Sequence, residues 1–70
     1  MKTTIGVSGM SSQQGVASVT EELYGLEGVE DVEVELQGDG RPSPVTITSN
    51  RELAPLEIEV KVADAGYVVI

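Results

Sequence analysis

The run Val32-Glu33-Val34-Glu35-Leu36 alternates strictly between apolar and acidic residues. Successive side chains of a strand point to opposite faces, so the pattern specifies a β-strand with Val32, Val34 and Leu36 facing in. Glu33 and Glu35 then face out. A strand with one apolar face needs a covering layer, and the rest of the chain has to supply it.

Ahead of it, Thr3-Thr4-Ile5-Gly6-Val7 is a β-branched run with Ile5 and Val7 on one face, ending at Ser8-Gly9. Ser11-Ser12-Gln13-Gln14 fits a Ser-x-x-Gln capping box, whose side chains would satisfy the first N–H groups of a helix. Val16, Val19, Leu23 and Leu26 recur at helical spacing, and Gly25 and Gly28 bracket the helix end. After the alternating strand, Gly38-Asp39-Gly40 signals a turn, and Pro42 and Pro44 lengthen it beyond a tight hairpin. Val45-Thr46-Ile47-Thr48 reads as a third strand with Val45 and Ile47 facing in.

Residues 56–62 carry two patterns at once. Leu56-Glu57-Ile58-Glu59-Val60-Lys61-Val62 alternates with period two, as a strand would. Pro55 suits a first helical turn, Ile58, Val62 and Ala65 make a helical stripe, and Gly66 sits where a helix should stop. Length and punctuation favour the helix. Leu53, Leu56, Val60 and Ala63 then form a second apolar stripe opposite the first, the mark of a helix with a second partner. Tyr67-Val68-Val69-Ile70 closes as a last strand. The order β-α-β-β-α-β implies one α+β domain over residues 1–70. Its expected form is a ferredoxin-like sandwich, a four-stranded antiparallel sheet with two helices on one face.

Composition narrows the chemistry. The chain has no cysteine and no histidine, so thiolate nucleophiles, disulfides and Cys/His zinc or copper sites are excluded. Twelve acidic residues against four basic ones leave a net charge of -8, which opposes nucleic acid and anionic membranes as partners. No stretch has the ~20 apolar residues that a membrane span requires. Met1-Lys2-Thr3-Thr4-Ile5 lacks the apolar core of a secretory signal, so a cytoplasmic protein is expected.

Gly9-Met10-Ser11-Ser12-Gln13-Gln14-Gly15-Val16 resembles the Gly-Met-Thr-Cys-x-x-Cys-Val loop of the heavy-metal-associated family, which includes copper chaperones and modules of copper-transporting ATPases. Leu26-Glu27-Gly28-Val29-Glu30-Asp31-Val32-Glu33-Val34 is similar to that family's passage from first helix to second strand. Ala65-Gly66-Tyr67 is similar to its last helix-to-strand turn. The resemblance spans nearly the whole chain. It implies metal transport, with two loop thiolates holding a soft ion. Here Ser12 stands at the first cysteine position and Gly15 at the second, and neither offers the sulfur that a soft metal selects. The resemblance also places Met10 in the core beneath the loop.

The degenerate loop Met10, Ser11, Ser12, Gln13, Gln14 and Gly15 is therefore expected to bind no Cu(I) tightly, as a degenerate or engineered metal-free form of the scaffold would. No cofactor is expected. Asp31, Glu33, Glu35 and Asp39 could offer oxygen ligands to a hard cation, but outward strand residues do not converge on one ion. Ser11 and Ser12 have no histidine to activate them, and Glu21, Glu22, Glu57 and Glu59 are spaced as solvated faces, so no enzyme is expected. The alternative role is a protein interaction module or homodimer, using Leu53, Leu56, Val60 and Ala63.

Overall fold

The elements run β1 (Lys2–Ser8), α1 (Gln13–Tyr24), β2 (Val29–Val34), β3 (Ser43–Ser49), α2 (Pro55–Asp64) and β4 (Val68–Val69). The structure is a computed structural model that describes residues 1–37 and 40–70. The Gly38-Asp39 part of the turn signal, and Asp39 as an oxygen ligand, lie outside the described residues. The four strands form one antiparallel sheet in the order β2-β3-β1-β4. This is the ferredoxin-like arrangement expected from the element order.

Register sorts the side chains by face. Thr3 pairs Ile47, Ile5 pairs Val45 and Val7 pairs Ser43 on the core side. Val32 pairs Ile47 and Val34 pairs Val45 on the same side. The opposite face carries Lys2, Thr4, Thr46, Thr48, Asp31 and Glu33. Beneath the apolar face, Val19 and Leu23 of α1 and Ile58 and Val62 of α2 complete a core with Val7, Met10, Leu26, Val45, Ile47 and Leu53. Each side chain so buried contributes roughly 1.5–3 kcal/mol before entropy is counted.

Three boundaries differ from the sequence reading. β2 covers Val29–Val34, not Val32–Leu36, with a bulge between Val29 and Asp31. Its end is chemical: Glu35 N–H donates to the Pro44 carbonyl at 2.9 Å, and Pro44 has no N–H to return the second bond. The third strand accordingly begins at Ser43 and includes Pro44, at the point where the ladder to β2 stops. The last strand shortens to Val68–Val69.

The expected capping box on α1 does not form. Ser12, not Ser11, is the N-cap, and its side chain makes no capping bond. That shift puts Gly15, not Gln14, at the third helical position, so no side chain there can reach back. Half a capping box forms on α2 instead: the Glu57 carboxylate accepts from the Ala54 N–H at 2.9 Å. Residues 56–62 are helical, with Ile58 and Val62 buried.

Candidate functional site

The loop between β1 and α1 is built by three small devices. Gly9 turns the chain with φ +92°, a conformation that side-chain-bearing residues avoid. Met10 then drops into the core at 3% exposure, as the resemblance implied. Ser11, Ser12, Gln13 and Gln14 stay exposed, and Gly15 is buried at the first turn of α1. The Gly15 and Val16 N–H groups donate to the Ser12 carbonyl at 3.1 and 3.3 Å, which winds the first turn on backbone alone.

Gly15 is buried by Tyr67, from the other end of the chain. A β-carbon placed on Gly15 would stand 2.5 Å from the Tyr67 Oη and 3.1 Å from its Cζ, with Met10 Cγ at 3.5 Å. The near edge of the same ring lies 3.4 Å from where a β-carbon on Gly9 would be. The phenol therefore lies along the loop from its first glycine to its last. Its position comes from the way α2 stops. Tyr67 N–H donates to the Val62 carbonyl at 3.1 Å and Gly66 N–H to the Ala63 carbonyl at 2.9 Å, with Gly66 at φ +92°. That pair of bonds around a left-handed glycine is a Schellman stop, and it turns the chain so that Tyr67 meets the loop. Sequence reasoning placed Tyr67 only in the last helix-to-strand turn and at the start of the last strand. No local pattern links it to Gly15.

The donor set at the loop consists of hydroxyls, amides and one buried thioether. Serine oxygen is a hard, normally protonated donor, glycine contributes no side chain, and soft ions select sulfur. The residues present do not fit a soft-metal site, and the atom nearest to where a β-carbon on Gly15 would stand is the Tyr67 Oη. Among the described residues, no group of three or more carboxylates gathers that could hold a metal ion, so Asp31, Glu33 and Glu35 do not converge.

The second sequence-predicted surface divides. Leu56 is 69% exposed and Val60 50% exposed on the outer side of α2, with Ala63 also exposed. Leu53 is not with them; it precedes α2 and lies in the core at 5% exposure. Leu56 and Val60 instead border a shallow groove with Leu26, Ala54, Glu57 and Lys61. Tyr24 is committed elsewhere: its hydroxyl donates to Asp31 Oδ1 at 3.3 Å and accepts from the Val32 N–H at 3.2 Å, tying the end of α1 to β2.

Arg51 is the other organising residue. Its guanidinium donates to both oxygens of Glu57 at 2.9 and 3.2 Å and, through Nε, to the Glu27 carbonyl at 2.7 Å. The Arg51 hydrogen bonds hold the Glu57 carboxyl below the ordinary carboxylate range, with the Ala54 N–H adding to the effect. The same pairing raises Arg51.

Comparison with solved structures gives the fold a context. A domain of the yeast copper transporter Ccc2 superimposes with a TM-score of 0.80 at 19% identity, over 97% of this chain and 89% of that one. The first domain of the human copper chaperone for SOD1 matches at 0.68 and 24%, over 100% and 92%. A putative copper-ion-binding protein from Bacillus anthracis matches at 0.68 and 28%, over 100% and 94%. No family model and no curated protein matches. The chain has the fold of these domains. Among its described residues, no helix is long and apolar enough to cross a membrane.

Proposed function

We propose that this chain is a metal-trafficking scaffold of the copper-chaperone type whose loop does not hold Cu(I) tightly. The carrying observation is the pair of ligand positions. Ser12 offers a hydroxyl, and Gly15 offers nothing, with the Tyr67 hydroxyl standing where its side chain would begin. The copper-handling names of the structural neighbours support the scaffold half of the reading. The donor chemistry supports the other half. Handing a metal from one thiolate pair to another cannot run on these residues. The role is non-enzymatic and, as proposed, cytoplasmic.

The test is an anaerobic Cu(I) titration against a competing chelator, with sedimentation on the same samples. The expected result is no competition by the protein. Tight stoichiometric binding overturns the reading.

A second reading is favoured by the exposure of Leu56 and Val60: an interaction module, or a homodimer, working through the outer side of α2. Association through this apolar face would be nearly independent of salt and would carry a negative heat capacity. Association through the acidic surface would weaken steeply with salt.

A further inference from the structure

We infer that the first half of β1 takes up an extended peptide as an added strand of the sheet, and that the peptide it suits is apolar at alternate positions and basic in charge. This surface is separate from the β1–α1 loop and from the groove beside Leu56 and Val60, so it depends on neither functional reading above.

The backbone carries the argument. The Ser49 N–H donates to the Met1 carbonyl at 2.8 Å, and the Met1 ammonium donates to the Ser49 carbonyl at 2.6 Å. In an antiparallel pair every second residue bonds the same neighbour. Met1, Thr3, Ile5 and Val7 therefore bond toward β3, while Lys2, Thr4, Gly6 and Ser8 turn their N–H and C=O groups the other way. On that other side β4 pairs only with Val7 and Ser8, and the Ile70 N–H donates to the Gly6 carbonyl at 2.9 Å. Among the described residues, no strand lies beside Lys2 and Thr4 on this side. An open row of this kind is a template for an extended segment. At the other edge of the sheet, the Val32 N–H of β2 is already taken by the Tyr24 hydroxyl at 3.2 Å.

The side chains say what such a segment should carry. Thr3 and Ile5 line a groove with Leu53, Pro55, Ile58 and Val69. A strand running on in the direction of β4 would hold its residues opposite Ile5 and Thr3 over that groove. Its residue opposite Thr4 would point to solvent. Apolar side chains at the two alternate positions would cover Ile5 and Val69, which are only half-buried. Glu59 stands at the groove rim, Lys2 lies on the other face of the sheet, and the chain carries a net charge of -8. That field draws Lys and Arg and repels a second copy of this chain. Because β1 is already extended and held along β3, only the peptide loses freedom on binding.

The test titrates the capped peptide Val-Thr-Val-Thr-Lys-Lys into isotope-labelled chain and follows amide exchange by NMR. The Lys2 and Thr4 N–H groups should exchange fast in the free chain and slow at least about tenfold at saturation. Thr4→Pro removes one edge donor and leaves the ladder to β3 intact, since Thr4 does not bond β3. It should weaken binding at least about fivefold. N-methylation of the first threonine of the peptide, the residue opposite Thr4, removes the reciprocal bond and serves if Thr4→Pro fails to fold. No slowing at Lys2 and Thr4 up to the solubility limit of the peptide overturns the inference. So does equal affinity for the N-methylated peptide, or a response centred on Leu56 and Val60. A peptide with glutamate in place of both lysines should bind more weakly, and equal binding overturns the assigned charge. A dimer that protects the Thr4 N–H without peptide makes a second copy the occupant and overturns the peptide assignment.

Discussion

Arg51 and Glu57 form a two-oxygen pair at the start of α2, with N–O distances of 2.9 and 3.2 Å. Arg51 also reaches the Glu27 carbonyl, so the pair fastens the α1–β2 connection to the opening turn of α2. Both side chains are about a third exposed, 35% and 37%. Solvent and salt therefore weaken the pair, and its value is positional as much as energetic.

A pH dependence follows from it. Glu57 is held below its ordinary value of 4.5 in the folded chain, first by the Arg51 hydrogen bonds. A carboxyl whose pKa is lowered on folding adds stability above the unfolded value, and that stability is lost as pH falls through the folded value. The urea midpoint of Glu57→Gln should therefore lie below wild type at neutral pH. The gap should close as pH falls below the ordinary carboxylate range. A gap that stayed constant down to strongly acid pH would show that the pair carries no linkage.

Ile58 and Leu56 sit two residues apart on α2 with opposite environments, 2% and 69% exposed. Ile58→Ala should cost about 2–5 kcal/mol. Domains of this size have only about 0.05–0.15 kcal/mol of stability per residue, so that loss takes much of the total. Leu56→Ala should change folding stability by less than about 0.5 kcal/mol. Chemical unfolding of the two variants gives the comparison. If Leu56→Ala also dissociates an oligomer seen in sedimentation, the outer side of α2 is an interface.

Gly66 needs its glycine for backbone alone. It has φ +92° and open space where a β-carbon would be. Gly66→Ala should cost about 1–2 kcal/mol through left-handed strain. Because this stop directs Tyr67, the change in tyrosine fluorescence should exceed that of an equally destabilising core substitution. An unchanged midpoint would mean that the stop tolerates a side chain freely.

Met10 is buried in the core at 3% exposure. Met10→Leu conserves volume and should cost less than about 1.5 kcal/mol. It should leave Cu(I) competition at the wild-type level. A loss of metal affinity in this variant would make Met10 a ligand instead of core.

Much of the fold was legible because its signals are short-range. The alternation at Val32–Val34, the β-branched runs around Ile5 and Ile47, and the stripe of Val19 and Leu23 each specify a local conformation and a buried face. The N-cap of α1 was misplaced by one residue, and with it a capping box that does not form, because Ser11 and Ser12 are equivalent in sequence. Which of them caps depends on where Gly9 and Met10 leave the chain. The end of β2 was misread because the missing donor belongs to Pro44 on the neighbouring strand.

The candidate site was legible only as an absence. Residue types alone show that the loop has no thiolate, since that depends on no geometry. They do not show that Leu53 leaves the stripe of Leu56 and Val60 for the core, because Leu53 lies before the first turn of α2, where helical spacing no longer applies.

The sequence by itself determined the elements other than α2, the faces of the strands and the chemistry that the loop lacks, because periodicity and residue type act locally. The tertiary structure decided between strand and helix for 56–62. Both patterns were written there, and in the fold β1 is flanked by β3 and β4 while Ile58 and Val62 enter the core. It alone decided that Tyr67 lies over Gly15. That contact joins the two ends of the chain, and only the docking of α2 against the sheet, with the turn at Gly66, sets the distance between them.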